Sequence, residues 1–165
     1  METFAYSGLR VMVRSSKSFE EVTEAIRSLA GKADSARFEK LVRSGASPQQ
    51  VAEAVAAMEG KSGFMIFAEI PEGPLLSLLG IPRKAALFVL GNPLIANRIF
   101  DHDLAAGLYV PLRLYIFSDP DGKTCIEYDK PSSLLDQFKN GAALAIANML
   151  DEKLDKLTAE AASTA

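Results

Sequence analysis

Apolar residues recur at every second position in several stretches of the chain, as they do in strands with one buried face. The clearest stretch is residues 109–117, where Leu112, Leu114 and Ile116 alternate with more polar positions. Residues 84–90 are almost continuously apolar, which is typical of a strand covered on both faces. Together these patterns predict five strands, at residues 4–15, 63–70, 84–90, 109–117 and 124–128.

A spacing of three to four residues between apolar positions predicts helices between these strands. Ser18 and Glu21 have the spacing of a capping box, and Ser47 and Gln50 repeat it before a later helix. The predicted helices lie at residues 18–30, 34–45, 47–60, 75–79, 94–101, 131–140 and 142–157.

The order of these elements predicts a single α+β domain over residues 1–157, with a mixed or antiparallel sheet. The two helices within residues 34–60 form a helical hairpin, which either faces a partner or covers one side of the core. Residues 158–165 are rich in Ala, Ser and Thr without apolar periodicity, so we expect a disordered tail there.

Composition narrows the classes of function. The 165 residues include 18 Lys and Arg against 21 Asp and Glu, a net charge of -3, which argues against general electrostatic binding of nucleic acid or anionic membranes. One Cys and one His leave no internal disulfide and little material for a metal site, so we expect no metal and no cofactor. The absence of a signal segment and of a run of about 18 apolar residues favours a cytoplasmic protein.

The tripeptide Gly91-Asn92-Pro93 lies at a predicted strand-to-helix junction and is the first candidate site. Gly91 permits close backbone approach, and Pro93 suits the first helical turn. Because free N–H groups at a helix start bind anions, one interpretation is that this turn holds a carboxylate, phosphate or carbonyl oxygen. The other is that Asn92 only caps its helix.

Two further candidates are basic or titratable side chains. His102 is the only histidine, lies between two aspartates and follows Arg98 closely. A carboxylate beside an imidazole fixes its tautomer, as a general base requires, whereas the simpler interpretation is a solvated helix end. Arg113 is expected to face Glu127 on the returning strand, either as a cross-strand ion pair or as an arginine that orients an anionic ligand.

Several short motifs follow one another in a characteristic order. They are Gly63-Phe64, Ala68-Glu69-Ile70, Gly91-Asn92-Pro93, the segment from Ala106 to Leu112, and Asp129-Lys130-Pro131. Their order and spacing, over residues 9–138, resemble those of the domain-of-unknown-function 302 family. The resemblance implies a TATA-binding-protein-like α+β fold, with a curved, mostly antiparallel sheet packed by helices on one side, and a homodimer. The resemblance does not imply DNA binding, because the fold label is structural, and the family has no agreed biochemical activity.

Two features depart from the family pattern. Members commonly carry Asp, often with His, after the Ala-Glu-Ile strand, whereas here Ile70 is followed by Pro71-Glu72-Gly73. Members also tend to pass directly from the first helix to the Gly-Phe strand, so the resemblance makes residues 34–60 an inserted helical hairpin.

Three functions are therefore open. The first is a dimeric, non-catalytic module that binds a small anionic or partly apolar ligand through Gly91, Asn92, Pro93, Arg98, His102 and Arg113. The second is an interaction or structural protein whose hairpin presents Phe38, Leu41, Val51 or Met58. The third is an enzyme in which His102, Glu72 or Asp103 acts as acid or base.

Overall fold

Six strands form one open sheet in the order β1-β6-β5-β4-β3-β2. All neighbouring strands are antiparallel except β2 and β3, which are parallel. The computed structural model describes residues 1–163. The strands are β1 (Arg10–Ser15), β2 (Gly31–Lys32), β3 (Met65–Pro71), β4 (Ala85–Gly91), β5 (Leu112–Ser118) and β6 (Thr124–Asp129).

Seven α-helices and two short 3-10 helices connect or cover these strands within residues 1–163. Among the helices of this range, none is long and apolar enough to cross a membrane. The helices are α1 (Phe19–Leu29), α2 (Ser35–Ser44), α3 (Pro48–Ala56), α4 (Gly73–Leu78), α5 (Pro93–Phe100), α6 (Pro131–Leu135) and α7 (Gly141–Ala162), and the 3-10 segments are Leu104–Leu108 and Asp136–Phe138.

The main core lies between one face of the sheet and helices α1 and α7. Ile26 of α1, Leu114 of β5, Ile126 of β6 and Leu154 of α7 are fully buried in it. Alternation along β5 places Leu114 and its neighbours two residues away on this face, as the sequence predicts. The α+β class, the mostly antiparallel sheet and its packing by helices are thus confirmed.

The opposite face of the sheet is only partly covered. In β4, Phe88 and Leu90 are fully buried, whereas Leu87 and Val89 on the other face are half-buried. The prediction that this strand is covered on both faces is therefore wrong. An apolar run can form a one-sided strand when its second face is shielded only by neighbouring side chains in the sheet.

The helical hairpin has a small core of its own beside the first residue of β3. Ala54, Val55 and Met58 are buried there with Met65. The side chains that the sequence analysis offered to a partner, Phe38, Leu41, Val51 and Met58, all pack in this cluster. The apolar side chains of the hairpin thus pack against the start of β3, and their presentation to a partner stays a prediction.

The carboxyl end of the chain differs from the sequence prediction. Helix α7 continues to Ala162, and Thr158 and Ala161 are buried. Ser15 Oγ donates a 2.8 Å hydrogen bond to the carbonyl of Ala162. A disordered tail from residue 158 is therefore wrong for residues 158–162, since contact with β1 orders a segment that lacks apolar periodicity. Residues 164 and 165 of the predicted tail lie outside the described residues.

The first strand is also shorter than predicted, beginning at Arg10 rather than at residue 4. The long central strand begins at Leu112 rather than at residue 109, because the 3-10 helix Leu104–Leu108 and its C-cap Tyr109 precede it. The two-residue strand β2 was not predicted, because so short an element leaves no periodic pattern.

Candidate functional site

An apolar cavity of about 320 Å³ lies where β4 ends, α5 begins and the chain enters β5. Gly91, Asn92 and Pro93, which the sequence singled out, all line it. The remaining wall is mostly hydrophobic, with contributions from β3, α5, the segment before β5, and α7. Its residues include Phe67, Ala96, Ile99, Pro111 and Leu150.

The polar atoms of the Asn92 side chain all form hydrogen bonds within the protein. Its Nδ2 donates hydrogen bonds to the Glu59 carboxylate, at 2.6 Å, and to the carbonyl of Gly63, at 3.0 Å. Its Oδ1 accepts a 2.9 Å bond from the N–H of Leu94, which caps α5 as predicted. Asn92 is 8% exposed, so it joins α5 to the hairpin and to the residues before β3.

The first turn of α5 has no N–H group left for an anion among the described residues of the turn. Pro93 lacks an N–H, and Leu94 donates to Asn92 Oδ1. Ile95 and Ala96 both donate to the carbonyl of Asn92, at 3.1 and 2.9 Å. The interpretation of this turn as an anion site is therefore not supported, because its donors are satisfied within the turn.

Gly91 keeps part of the cavity open. A Cβ atom at this position would lie 3.4 Å from Phe67 Cε2 and 3.6 Å from Pro111 Cβ. These are ordinary van der Waals separations, so a methyl group here would fit without a clash while occupying space between two walls. The glycine thus contributes volume to the cavity rather than a chemical group.

Arg98 and His102 lie elsewhere, in a shallow groove between α5 and α7. Ala142, Ile146 and Met149 form the α7 side of this groove. His102 is exposed, and the structure does not bring it to the apolar cavity or to Glu72. Its position matches the simpler interpretation, a solvated helix end.

Arg113 lies on the partly covered face of the sheet and pairs differently from the prediction. Its guanidinium is 3.5 Å from the Asp129 carboxylate, whereas Glu127 lies opposite Tyr115 and is 3.6 Å from Arg10. The expected Arg113–Glu127 pair is therefore wrong, because Arg113 pairs with Asp129, two residues further along the same face of β6. Arg113 lines a cleft with Tyr6 and Asp129 that adjoins the apolar cavity at Pro111.

Glu72 is engaged on the same face of the sheet. The Tyr115 hydroxyl donates a 2.9 Å hydrogen bond to Glu72 Oε2. Burial, together with this neighbouring carboxylate, raises the pKa of Tyr115 to about 12. The phenol of Tyr115 therefore stays protonated across the physiological range.

The six sequence-predicted site residues thus occupy three separate places. Gly91, Asn92 and Pro93 line the apolar cavity, Arg98 and His102 share the groove between α5 and α7, and Arg113 lies in the cleft beside Asp129. Sequence reasoning missed most of the cavity wall. The cavity wall includes Val110, Pro111 and Leu112. These residues lie in the motif from Ala106 to Leu112, so the family resemblance was a signal that could have pointed to them. Phe67, Ala96 and Leu150 look like ordinary core residues in the sequence, and only the tertiary structure places them around one cavity.

The sheet order and the helices on one face define an open-sheet α+β domain. A family model described as "Domain of unknown function DUF302" matches residues 38–161. The chain therefore belongs to the DUF302 family. The matched residues begin inside the hairpin, include α3 and continue almost to the end of α7.

A solved structure has a similar fold. It is the crystal structure of an uncharacterized conserved DUF302 protein from Bacillus stearothermophilus, with a TM-score of 0.64 and 18% sequence identity. The similarity covers 92% of this chain and 97% of that chain. No curated protein matches the sequence.

Proposed function

We propose that this protein is a binding module for a small, mostly apolar molecule, which occupies the cavity between β4, α5 and the start of β5. The observation that carries the proposal is the apolar wall around about 320 Å³. Because the Asn92 amide and the N–H groups of Leu94, Ile95 and Ala96 already have partners, the ligand gains binding energy mainly from burial of its apolar surface.

The size of the cavity limits the ligand. Apolar cavities of about 150 Å³ hold benzene or xenon, so this cavity suits one small ring-containing or branched molecule. Asn97 at the wall can hydrogen-bond a single polar group of such a ligand. We place the module in the cytoplasm, in keeping with its one cysteine, Cys125, a buried free thiol.

A thermal-shift screen of small apolar metabolites tests the proposed function. A ligand at 100 times its Kd adds about 2.7 kcal/mol of stability. Ala96→Leu, which enlarges a side chain in the cavity wall, should abolish that gain. Ala36→Leu is the matched control, since Ala36 is exposed on α2, and it should keep the gain. A screen in which no compound raises Tm, or in which Ala96→Leu responds as the wild type does, contradicts the proposal.

We also propose that the protein forms a homodimer through the segment around α4. Leu75, Leu78, Leu79 and Ile81 are 62%, 85%, 69% and 50% exposed. Residues 73–82 contain no charged side chain. A two-fold interface places the same patch on both subunits, so an uncharged apolar patch meets its own copy without like-charge repulsion.

Sedimentation equilibrium tests the dimer. Leu78→Glu should shift the mass to that of the monomer, because it places two buried carboxylates face to face. Leu104→Glu is the matched control, since Leu104 is 78% exposed and lies outside this segment, and it should remain dimeric. A monomeric wild type, or a dimer that survives Leu78→Glu, contradicts this interface.

A further inference from the structure

A second concavity, of about 200 Å³, lies between the end of α1, the turn after the hairpin and the last turns of α7. Three lysines line it: Lys61, Lys153 and Lys156. Glu160 is the one carboxylate in its wall, and Leu29 and Leu157 supply apolar surface. The site therefore carries an excess of positive charge in a chain whose net charge is -3.

Lys153 is held in place within this concavity. Its Nζ donates a 2.9 Å hydrogen bond to the carbonyl of Ser62 and lies 5.5 Å from the centroid of the Phe64 ring. Gly63 has a φ of +75°, and a Cβ atom there would lie only 2.6 Å from Lys153 Nζ. A glycine at this turn thus provides the space in which the ammonium group lies, so the charge is positioned before any ligand arrives.

The other two lysines share one acidic neighbour. Lys61 Nζ is 2.7 Å from Glu160 Oε1. This hydrogen bond lowers the pKa of Glu160, and the charge of Lys156 contributes to the same effect. A single carboxylate therefore faces more than one ammonium group. Within the described residues, Lys156 has no ion pair shorter than 4.0 Å, so its charge is available to a ligand.

We propose that the ammonium groups of Lys61, Lys153 and Lys156 bind a small phosphate-bearing molecule in this concavity. Lysine binds phosphate as a compact point charge with three rotatable donors. A phosphate offers enough oxygens to accept from all three lysines at once, whereas a single carboxylate offers two. A volume below the usual range for organic ligands suits a phosphate with a small substituent rather than a nucleotide.

NMR titration with inorganic phosphate and with pyrophosphate tests this site. Amide signals of Ser62, Gly63 and Lys156 should shift saturably in the wild type. Lys61→Gln and Lys156→Gln should each weaken binding roughly fivefold to tenfold, because each removes a charge-assisted hydrogen bond. Lys156→Arg, which keeps the charge, should retain most of the affinity. Lys40→Gln removes one charge from the exposed face of α2 and should leave the affinity unchanged.

Several results would overturn the assignment. Shifts that do not saturate in the wild type would contradict a specific phosphate site. Equal affinity in the wild type and in the Lys61→Gln/Lys156→Gln double variant would show that these lysines do not bind the phosphate. A Lys40→Gln loss as large as that of Lys156→Gln shows general electrostatic attraction instead. Binding of citrate without binding of either phosphate compound contradicts the phosphate class. Because Lys61 and Lys156 are exposed, their variants should fold as the wild type does, and far-UV circular dichroism checks this.

Discussion

The side-chain amide of Asn92, at the start of α5, donates a 2.6 Å hydrogen bond to the carboxylate of Glu59, which follows α3. The same nitrogen donates to the carbonyl of Gly63, and Oδ1 caps α5 through Leu94. One buried side chain thus fixes the hairpin relative to the helix that lines the apolar cavity. Asn92 thus holds the wall of the candidate site in place, and the apolar side chains of that wall supply the surface for a ligand.

Asn92→Ala should destabilise the protein by about 2–3 kcal/mol. It removes a helix cap, at about 1 kcal/mol, and leaves the partly buried carbonyl of Gly63 without its donor, at about 1–2 kcal/mol. Glu59→Gln keeps an acceptor oxygen at the same place and should cost less than half as much. Urea denaturation of both variants measures the difference. A loss below about 0.5 kcal/mol in Asn92→Ala contradicts this role.

The sequence predicted those features whose cause is local. The capping boxes of Ser18 with Glu21 and Ser47 with Gln50 are both present in the structure, because their partners are three residues apart. The cap at Asn92 also forms as expected. Alternation along β5 identified its buried face, because side-chain direction in a strand repeats every two residues.

The features that the sequence did not predict depend on distant contacts. Asn92 contacts Glu59 and Gly63, which are 33 and 29 residues earlier in the chain. No local sequence pattern predicts these contacts. The order of residues 158–162 depends on hydrogen bonds from Ser15 and Lys17 to the carbonyls of Ala162 and Ala161, more than 140 residues later. The wall of the cavity combines residues from β3, α5 and α7 for the same reason.

Truncation of the chain after Leu157 should therefore destabilise it by at least about 2 kcal/mol. The truncation removes the buried Thr158 and Ala161 and the carbonyl that accepts from Ser15 Oγ, so the protein loses apolar burial and one hydrogen bond between β1 and α7. A chain that ends after Ser163 is the control and should match the full-length protein. Equal midpoints for the shorter truncation and the control in chemical denaturation would rule out an ordered, stabilising end of α7.

The ion pair of Arg27 and Glu69 should make stability fall at acid pH. Two hydrogen bonds, of 2.6 and 2.9 Å, join the side chains, and the arginine lowers the pKa of Glu69 below its ordinary 4.5. Because the folded pKa is the lower one, the pair stabilises the protein fully above about pH 4.5 and loses this contribution as pH falls through the folded value.

Glu69→Gln should therefore be less stable than the wild type at pH 7, with a difference that shrinks below pH 4.5. Glu39→Gln is the control, because its exposed pair with Arg43, at 3.7 Å, contributes little. Denaturation curves between pH 2.5 and 7, about the range over which carboxylates titrate, measure both. A Glu69→Gln difference that is constant over this range would contradict the linkage.

The phenol of Tyr115 should ionise only near pH 12, about two units above its ordinary value of 10.0. Burial is the larger cause, and the hydrogen bond to Glu72 is the second. Glu72→Gln removes the carboxylate charge but keeps the burial, so the pKa should fall and stay above 10. Carbon-13 NMR of labelled tyrosine measures the titration. Glu127→Gln, opposite Tyr115 on β6, is the control, and an unchanged pKa in Glu72→Gln would exclude the carboxylate as a cause.

The central claim is that the cavity beside Gly91 and Asn92 accepts a small apolar molecule. Methyl NMR of the whole protein during titration with benzene tests it most directly, because Ile99, Leu112 and Leu150 all line the cavity. We predict saturable shifts confined to methyl groups that line the cavity, in the wild type and in Ala36→Leu, and their loss in Ala96→Leu. Methyl signals that stay fixed in the wild type, or that shift equally in Ala96→Leu, would contradict the claim.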